Sequence, residues 1–328
     1  MNSFGRIFKI EIFGESHGNY VGVVIDGVPP GIRLTEKELS LDLQRRKPGA
    51  IGTTTRIEDD KPEILSGIYN NKTTGTPILI KFANKNVKRT EYSQFIDIPR
   101  PGHADFVAFK KYAGFSDISG GGHFSGRMTV GLVAASTLAK KIISPVSIKA
   151  ELINAGGSKD IETEVSKALD EQDSIGGLIE CKAANVPIGL GEPFFDTAES
   201  VISQLIFAIP GIKAIEFGAG FNAVNMRGSE FNDVYIDSNG RTKTNNNGGI
   251  SGGITNGNEL VFRVAVRPPS SIGKPQTTYN FKTGKLDTLI IKGRHDSCIA
   301  LRVPVIVEAA LAIALADLML INNALKNT

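Results

Sequence analysis

An unbroken apolar run near the C-terminus, residues 303–321, constrains this chain most, because only Glu308 and Asp317 interrupt it. Its length would suit a membrane-crossing helix, but two carboxylates facing hydrocarbon would be costly. It reads better as a helix buried in the core of a globular protein. The remaining composition agrees: 41% of the 328 residues are hydrophobic and 22% are charged. The net charge of +3 is too mild to indicate general nucleic-acid binding. The opening MNSFGRIFKIEIFGES has neither a basic-then-apolar order nor a cleavable look, and Cys181 and Cys298 lie far apart. Both features point to a cytoplasmic chain without a disulfide framework, off the membrane.

Periodicity supplies the rest of the outline. Residues 6–13 and 21–25 alternate as strands, and VPPG at 28–31 makes a turn. Thr35 and Glu38 form a capping box ahead of Leu39, Leu41 and Leu43, which predicts a helix. Further strands are expected at 77–82, 146–152, 178–183 and 214–217, and further helices at 104–112, 129–143, 161–169 and 198–208. The stretch 243–257 is too rich in glycine and asparagine for a regular element, so it is expected to be a loop whose backbone approaches something closely. No fixed-period repeat or clear linker divides the chain. The expectation is one α+β domain spanning 1–328.

All four histidines fall in segments rich in glycine or arginine: GESHG (14–18), RPGHAD (100–105), SGGGHFSGR (119–127) and KGRHDSC (292–298). Metal binding fits poorly, since no pair has the short spacing of ligands. GESHG matches the nucleophile elbow of serine hydrolases, but that elbow must lead into a helix, and here a strand and turn follow. The remaining reading is acid–base chemistry on an anion. Histidine can hold a proton near neutral pH, and guanidinium forks pair with carboxylate and phosphate oxygens. A lone Arg45–Arg46 pair would ordinarily be a solvated helix face. Arg100, Arg127 and Arg294, placed beside histidines in glycine-bearing loops, suggest one converging anion site.

These segments, in this order, resemble the chorismate synthase family over nearly the whole chain. The family carries GESHG, DGVPPG, an RR-x-PG segment, an LSG…TTGTP segment, RPGHAD, a GGGRSSAR segment, KPTSS and GRHDPC. The chain has GESHG (14–18), DGVPPG (26–31), RRKPG (45–49), LSGIYNNKTTGTP (65–77), RPGHAD (100–105), GGGHFSGR (120–127), RPPSS (267–271) and GRHDSC (293–298).

The resemblance implies a β-α-β sandwich with internal pseudo-symmetry, assembled as a homotetramer. It implies a carbon–oxygen lyase that removes phosphate and a ring proton from 5-enolpyruvylshikimate-3-phosphate by 1,4-elimination, giving chorismate, in the last step of the shikimate pathway. The implied cofactor is reduced FMN (FMNH2), with an association to NADP. No reductase domain is apparent, so the flavin is expected to arrive reduced from an external source. By the same resemblance His17, His103 and Asp296 are catalytic, with Ser16 helping Asp296. Arg46, Arg100, Arg127 and Arg294 hold the substrate. His123, Phe124, Ser125, Gly252, Arg267, Pro268, Pro269, Ser270, Ser271 and Arg294 hold the flavin.

The chain departs from the family at several of these positions. His123, Phe124 and Gly126 replace arginine, serine and alanine, and Arg267 and Pro269 replace lysine and threonine. Gly52 stands where a second arginine is usual, with Arg56 nearby as a substitute. His123, if protonated, would restore some of the missing charge. A non-catalytic phosphate- or nucleotide-binding module would account for the arginines and glycines, but would give no role to His17, His103 and Asp296 together.

Overall fold

The computed structural model describes residues 2–56, 58–87, 92–293 and 295–325. Two antiparallel sheets face each other across a layer of helices. The first sheet runs Ser3–Phe4, Lys9–Gly14, Tyr20–Asp26, Ile78–Ala83, Glu63–Ile64. The second runs Ile212–Phe217, Leu260–Val266, Gly177–Ala184, Ser147–Ala155. Side chains alternate between the faces of a strand, so register decides what enters the core. Val23 lies opposite Ile80 and Ile25 opposite Ile78; Val264 lies opposite Ile179 and Phe262 opposite Cys181. All eight are buried.

Each sheet is covered by one long helix, Thr129–Ile142 on the first and Pro304–Leu325 on the second, and these two helices pack on each other. The Glu36–Arg46 helix backs the former and the Ala198–Ala208 helix the latter, so the two halves repeat one plan. Close packing requires small residues here: a Cβ on Gly131 would stand 2.8 Å from Ile12 Cδ1 and 3.3 Å from Val23 Cβ. A single hydrophobic cluster draws on both sheets and the helices between them.

The C-terminal helix is long and apolar enough to cross a membrane, yet every residue from Val305 to Leu318 is buried by protein. Its two acids are satisfied internally. Asp317 accepts from the backbone N–H groups of Arg6, Ile7 and Phe8 at 2.8–3.1 Å. Glu308 accepts both prongs of Arg45 at 2.6 and 2.8 Å, together with the N–H of Ala150 at 3.0 Å.

The expected elements form with small shifts at their ends, and Thr35 and Glu38 make the full capping box. The stretch 243–257 needs correction, because it contains a short hairpin, Ile250–Ser251 with Ile254–Thr255. Its polar residues serve the loop itself: the Asp233 carboxylate accepts from Thr244 Oγ1 and the N–H groups of Asn246 and Asn247 at 2.7–2.9 Å. The close backbone approach is to its own chain. A Cβ on Gly218 would fall 2.1 Å from the Asn246 carbonyl oxygen. The largest elements outside the sequence expectations are the Leu260–Val266 strand and the hairpin of Gln276–Asn280 with Lys285–Leu289.

Candidate active site

A cavity of about 310 Å³ opens where loops from both halves meet, and Arg46, Arg56, Arg100, Arg127, Arg267 and Arg302 line it. Arg45 and Arg46 end the same helix, but successive helical residues point about 100° apart. Arg45 therefore turns to Glu308, and Arg46 turns into the cavity.

Opposite Arg46 stands Arg127, and Asp60 sits between them. Arg46 Nη2 donates to Asp60 Oδ2 at 2.5 Å, and Arg127 Nη1 donates to Asp60 Oδ1. Burial, with Arg127 and Arg302 close by, pushes the Arg46 guanidinium down to about 10 despite Asp60. Burial alone would raise Asp60, but Arg46 and Arg127 outweigh it and hold that carboxyl below its usual range. Arg46 Nε and Arg127 Nη2 are buried without a hydrogen-bond partner among the described residues. Buried donors are rarely left so, and guanidinium donors least of all. Two such groups facing one cavity make a cradle for an anion.

Beside this pair lies His103. Its Nδ1 lies 2.6 Å from Asp105 Oδ1 and 3.1 Å from Arg100 Nη2, so this pair occupies that nitrogen. Nε2 is then the nitrogen available for proton transfer. Burial would raise Asp105, but hydrogen bonds from Arg100 and His103 overcome it and hold the carboxyl well below the usual carboxylate range. Arg100 spends its fork on Asp105, with Nε–Oδ2 at 2.7 Å and Nη2–Oδ1 at 2.8 Å, while Nη1 donates to Ser271 Oγ at 3.2 Å. It anchors the His103 loop and has little left for a second carboxylate or phosphate.

His17 and Ser16 lie just behind the lining, against Gly120. A Cβ at Gly120 would come within 2.1 Å of the His17 ring, and one at Gly121 within 3.4 Å of the His103 ring. The glycine run at 120–122, with φ of +61°, +83° and +51°, thus passes between the two imidazoles where no other residue fits. Burial, and then the Arg56 charge, lower the His17 imidazole below its usual range, against weaker opposing pulls from Ser119, Asp117 and Glu58. Its neutral form dominates at pH 7. The Ser16 hydroxyl takes a hydrogen bond from Arg56 Nη1 at 3.0 Å, so Arg56 holds it and Asp296 does not. Ser16 is fully buried and a strand follows its turn, which removes the elbow geometry of a hydrolase.

Asp296 lines the cavity, and its Oδ1 accepts from Thr54 N–H at 2.9 Å and Arg302 Nη1 at 3.3 Å. Phe124, Ser125, Arg267, Pro269, Ser270 and Ser271 also line it. His123, Pro268 and Gly252 are not part of the lining. His123 donates through Nδ1 to the Gly14 carbonyl at 2.8 Å, which makes it a peg between loops and weakens the case for a flavin contact. Gly252 forms the tip of the Ile250–Thr255 hairpin. Arg294 lies outside the described residues.

Sequence reasoning missed Asp60, Asp105, Arg302 and Tyr92, whose ring lines the cavity with its centroid 5.2 Å from that of His17. Asp105 had a signal, since RPGHAD flanks its histidine with both partners of an ion pair. Asp60, Arg302 and Tyr92 carried none, for only the fold brings them in.

A family-wide comparison matches residues 8–320 to the family described as Chorismate synthase. A relative of that name from Chitinophaga pinensis is 56% identical, the alignment covering 100% of both chains. One from Pyrococcus abyssi is 43% identical over 96% of this chain and 97% of its own. Among solved structures, one titled "Crystal Structure of Chorismate Synthase" superposes with a TM-score of 0.75 at 25% identity, covering 97% of this chain and 93% of that one. The chain therefore belongs to the chorismate synthase family, lyases that convert 5-enolpyruvylshikimate-3-phosphate into chorismate and phosphate.

Proposed function

We propose that the arginine-lined cavity is where the chain carries out this conversion, with reduced FMN bound beside the substrate. The buried donors Arg46 Nε and Arg127 Nη2, left unpaired by the protein, support this reading most strongly. They suit the phosphate and carboxylates of the substrate. Arg267 and the hydroxyls of Ser270 and Ser271 stand along another part of the same wall, suited to the phosphate of FMN, with the Phe124 ring offering an apolar face. When bound, reduced FMN supplies electron density to the substrate and takes up the ring hydrogen.

The chain's own groups orient the substrate and manage protons. His103, its Nδ1 held between Asp105 and Arg100, exchanges a proton through Nε2. His17, neutral in its buried site, readily gives up any proton it acquires, which suits it to serve the departing phosphate. Asp296, its Oδ1 fixed by Thr54 and Arg302, would accept and pass on a proton at its other carboxylate oxygen. The continuous core supports one domain working as a unit. Exposed Phe194, Phe195, Phe221 and Val224 support assembly into a homotetramer, and two free buried cysteines suit the cytoplasm.

The test is an anaerobic assay with chemically reduced FMN from an external source. Chorismate and phosphate should form in equal amounts, and flavin should bind more tightly when substrate is present. No product under those conditions would end this reading.

A further inference from the structure

Arg302 joins two parts of the site. Its Nε donates to the main-chain carbonyl of Arg46 at 3.1 Å, and its Nη1 lies 3.3 Å from Asp296 Oδ1. It springs from the short turn Ile299–Arg302, directly ahead of the buried Pro304–Leu325 helix. Asp296 sits on an irregular segment with no regular element to fix it. Other ties hold that segment: Thr54 N–H on the same Oδ1, the Gly52 carbonyl, which accepts from Ser297 N–H at 2.8 Å and Cys298 N–H at 3.3 Å, and the Ser297 carbonyl, which accepts from Ile175 N–H at 2.9 Å. Gly52 has φ of +84°, and a Cβ there would meet Val165 Cγ1 at 2.2 Å. An arginine cannot be restored at 52 without disturbing this support.

We propose that Arg302 is a positioning residue for Asp296. Resting on the reading of Asp296 as a proton relay, the assignment is that Arg302 holds Oδ1 and thereby turns Oδ2 to the reacting ligands. Oδ2 accepts no hydrogen bond among the described residues, whereas Oδ1 accepts two. Arg302 works through Asp296, and the ligand's charge falls to Arg46 and Arg127.

A double-mutant cycle on the full chain tests this, with reduced FMN, single-turnover rates and separately measured substrate affinity. Arg302→Met should slow the single turnover ~10-fold or more while substrate affinity stays within ~3-fold, and in an Asp296→Asn background it should add almost nothing. Arg302→Lys should recover part of the rate, since an ammonium can meet Oδ1 but cannot also reach the Arg46 carbonyl. If Arg302→Met does not fold, Arg302→Gln carries the same cycle. Equal slowing in both backgrounds, or a loss that falls on affinity, would overturn the positioning role and leave that of Asp296 standing. A normal rate for Asp296→Asn alone would overturn both.

Discussion

Glu308 and Asp317 in the C-terminal helix are each 2% exposed, and Arg46 and Arg127 in the cavity wall are 4% and 7% exposed. All four are hidden charges, but their surroundings differ. Every oxygen of the two helix acids meets a donor from another element, so each acid ties the helix to its neighbours. The two arginines share a single carboxylate, Asp60, and each keeps a donor unpaired. A fully partnered buried charge is a structural fastener. A partly partnered one stores a desolvation cost that a ligand can relieve, and that separates the site from the core more clearly than burial does.

The largest effect expected belongs to neither set. Replacing His17, His103 or Asp296 with Ala should slow single turnover ~10²–10⁴-fold with little change in substrate affinity, as for a lost acid–base partner. Near-normal rates for both histidine variants would remove their assigned roles.

Breaking a fastener should act on stability alone. Glu308→Ala strands the buried Ala150 N–H, while Arg45 keeps Asp42 and solvent, and should cost ~1–3 kcal/mol of unfolding free energy, read by denaturant titration. If substrate affinity fell instead, the division between fasteners and ligand-binding charges would be wrong.

Arg127→Ala should do the reverse, weakening substrate binding by ~1.5–3 kcal/mol, or roughly 10- to 150-fold in Kd, because a charge-assisted contact present in ground and transition state alike is lost. Isothermal titration calorimetry with the phosphorylated substrate and oxidised FMN reads this directly. An unchanged Kd would mean that the unpaired Nη2 does not meet the ligand.

The smallest effect should come from a surface feature remote from both regions. Thr35→Ala removes the cap that accepts from Glu38 N–H and should cost ~1 kcal/mol of stability, measured as a modest fall in Tm with activity unaffected.

How far the sequence could be read varies by residue. Periodicity placed most strands and helices because apolar side chains must follow the 2.0 or 3.6 repeat of the backbone to reach a core. The strand Leu260–Val266 escaped notice even though its burial alternates strictly, because Arg263 and the small Ala265 fall among its apolar residues. Ordered motifs named the family and led to the roles proposed for His17, His103, Asp296, Arg46 and Arg127. They overstated His123, whose Nδ1 hydrogen belongs to the Gly14 carbonyl, and treated Arg100 as a ligand for anions when Asp105 already fills its fork.

The sequence by itself determined the helix and strand periods, the capping box at Thr35, the need to bury residues 303–321, and the chemical types gathered in the histidine loops. Those properties depend on neighbours a few positions apart along the chain. Tertiary structure alone decided that Asp60 would divide Arg46 from Arg127, that residues 120–122 would pass between two imidazoles, and that Arg302 would reach Asp296. Each of these contacts joins segments brought together only when two sheets close over a shared helical layer, and no local pattern of side chains encodes the distance between such segments.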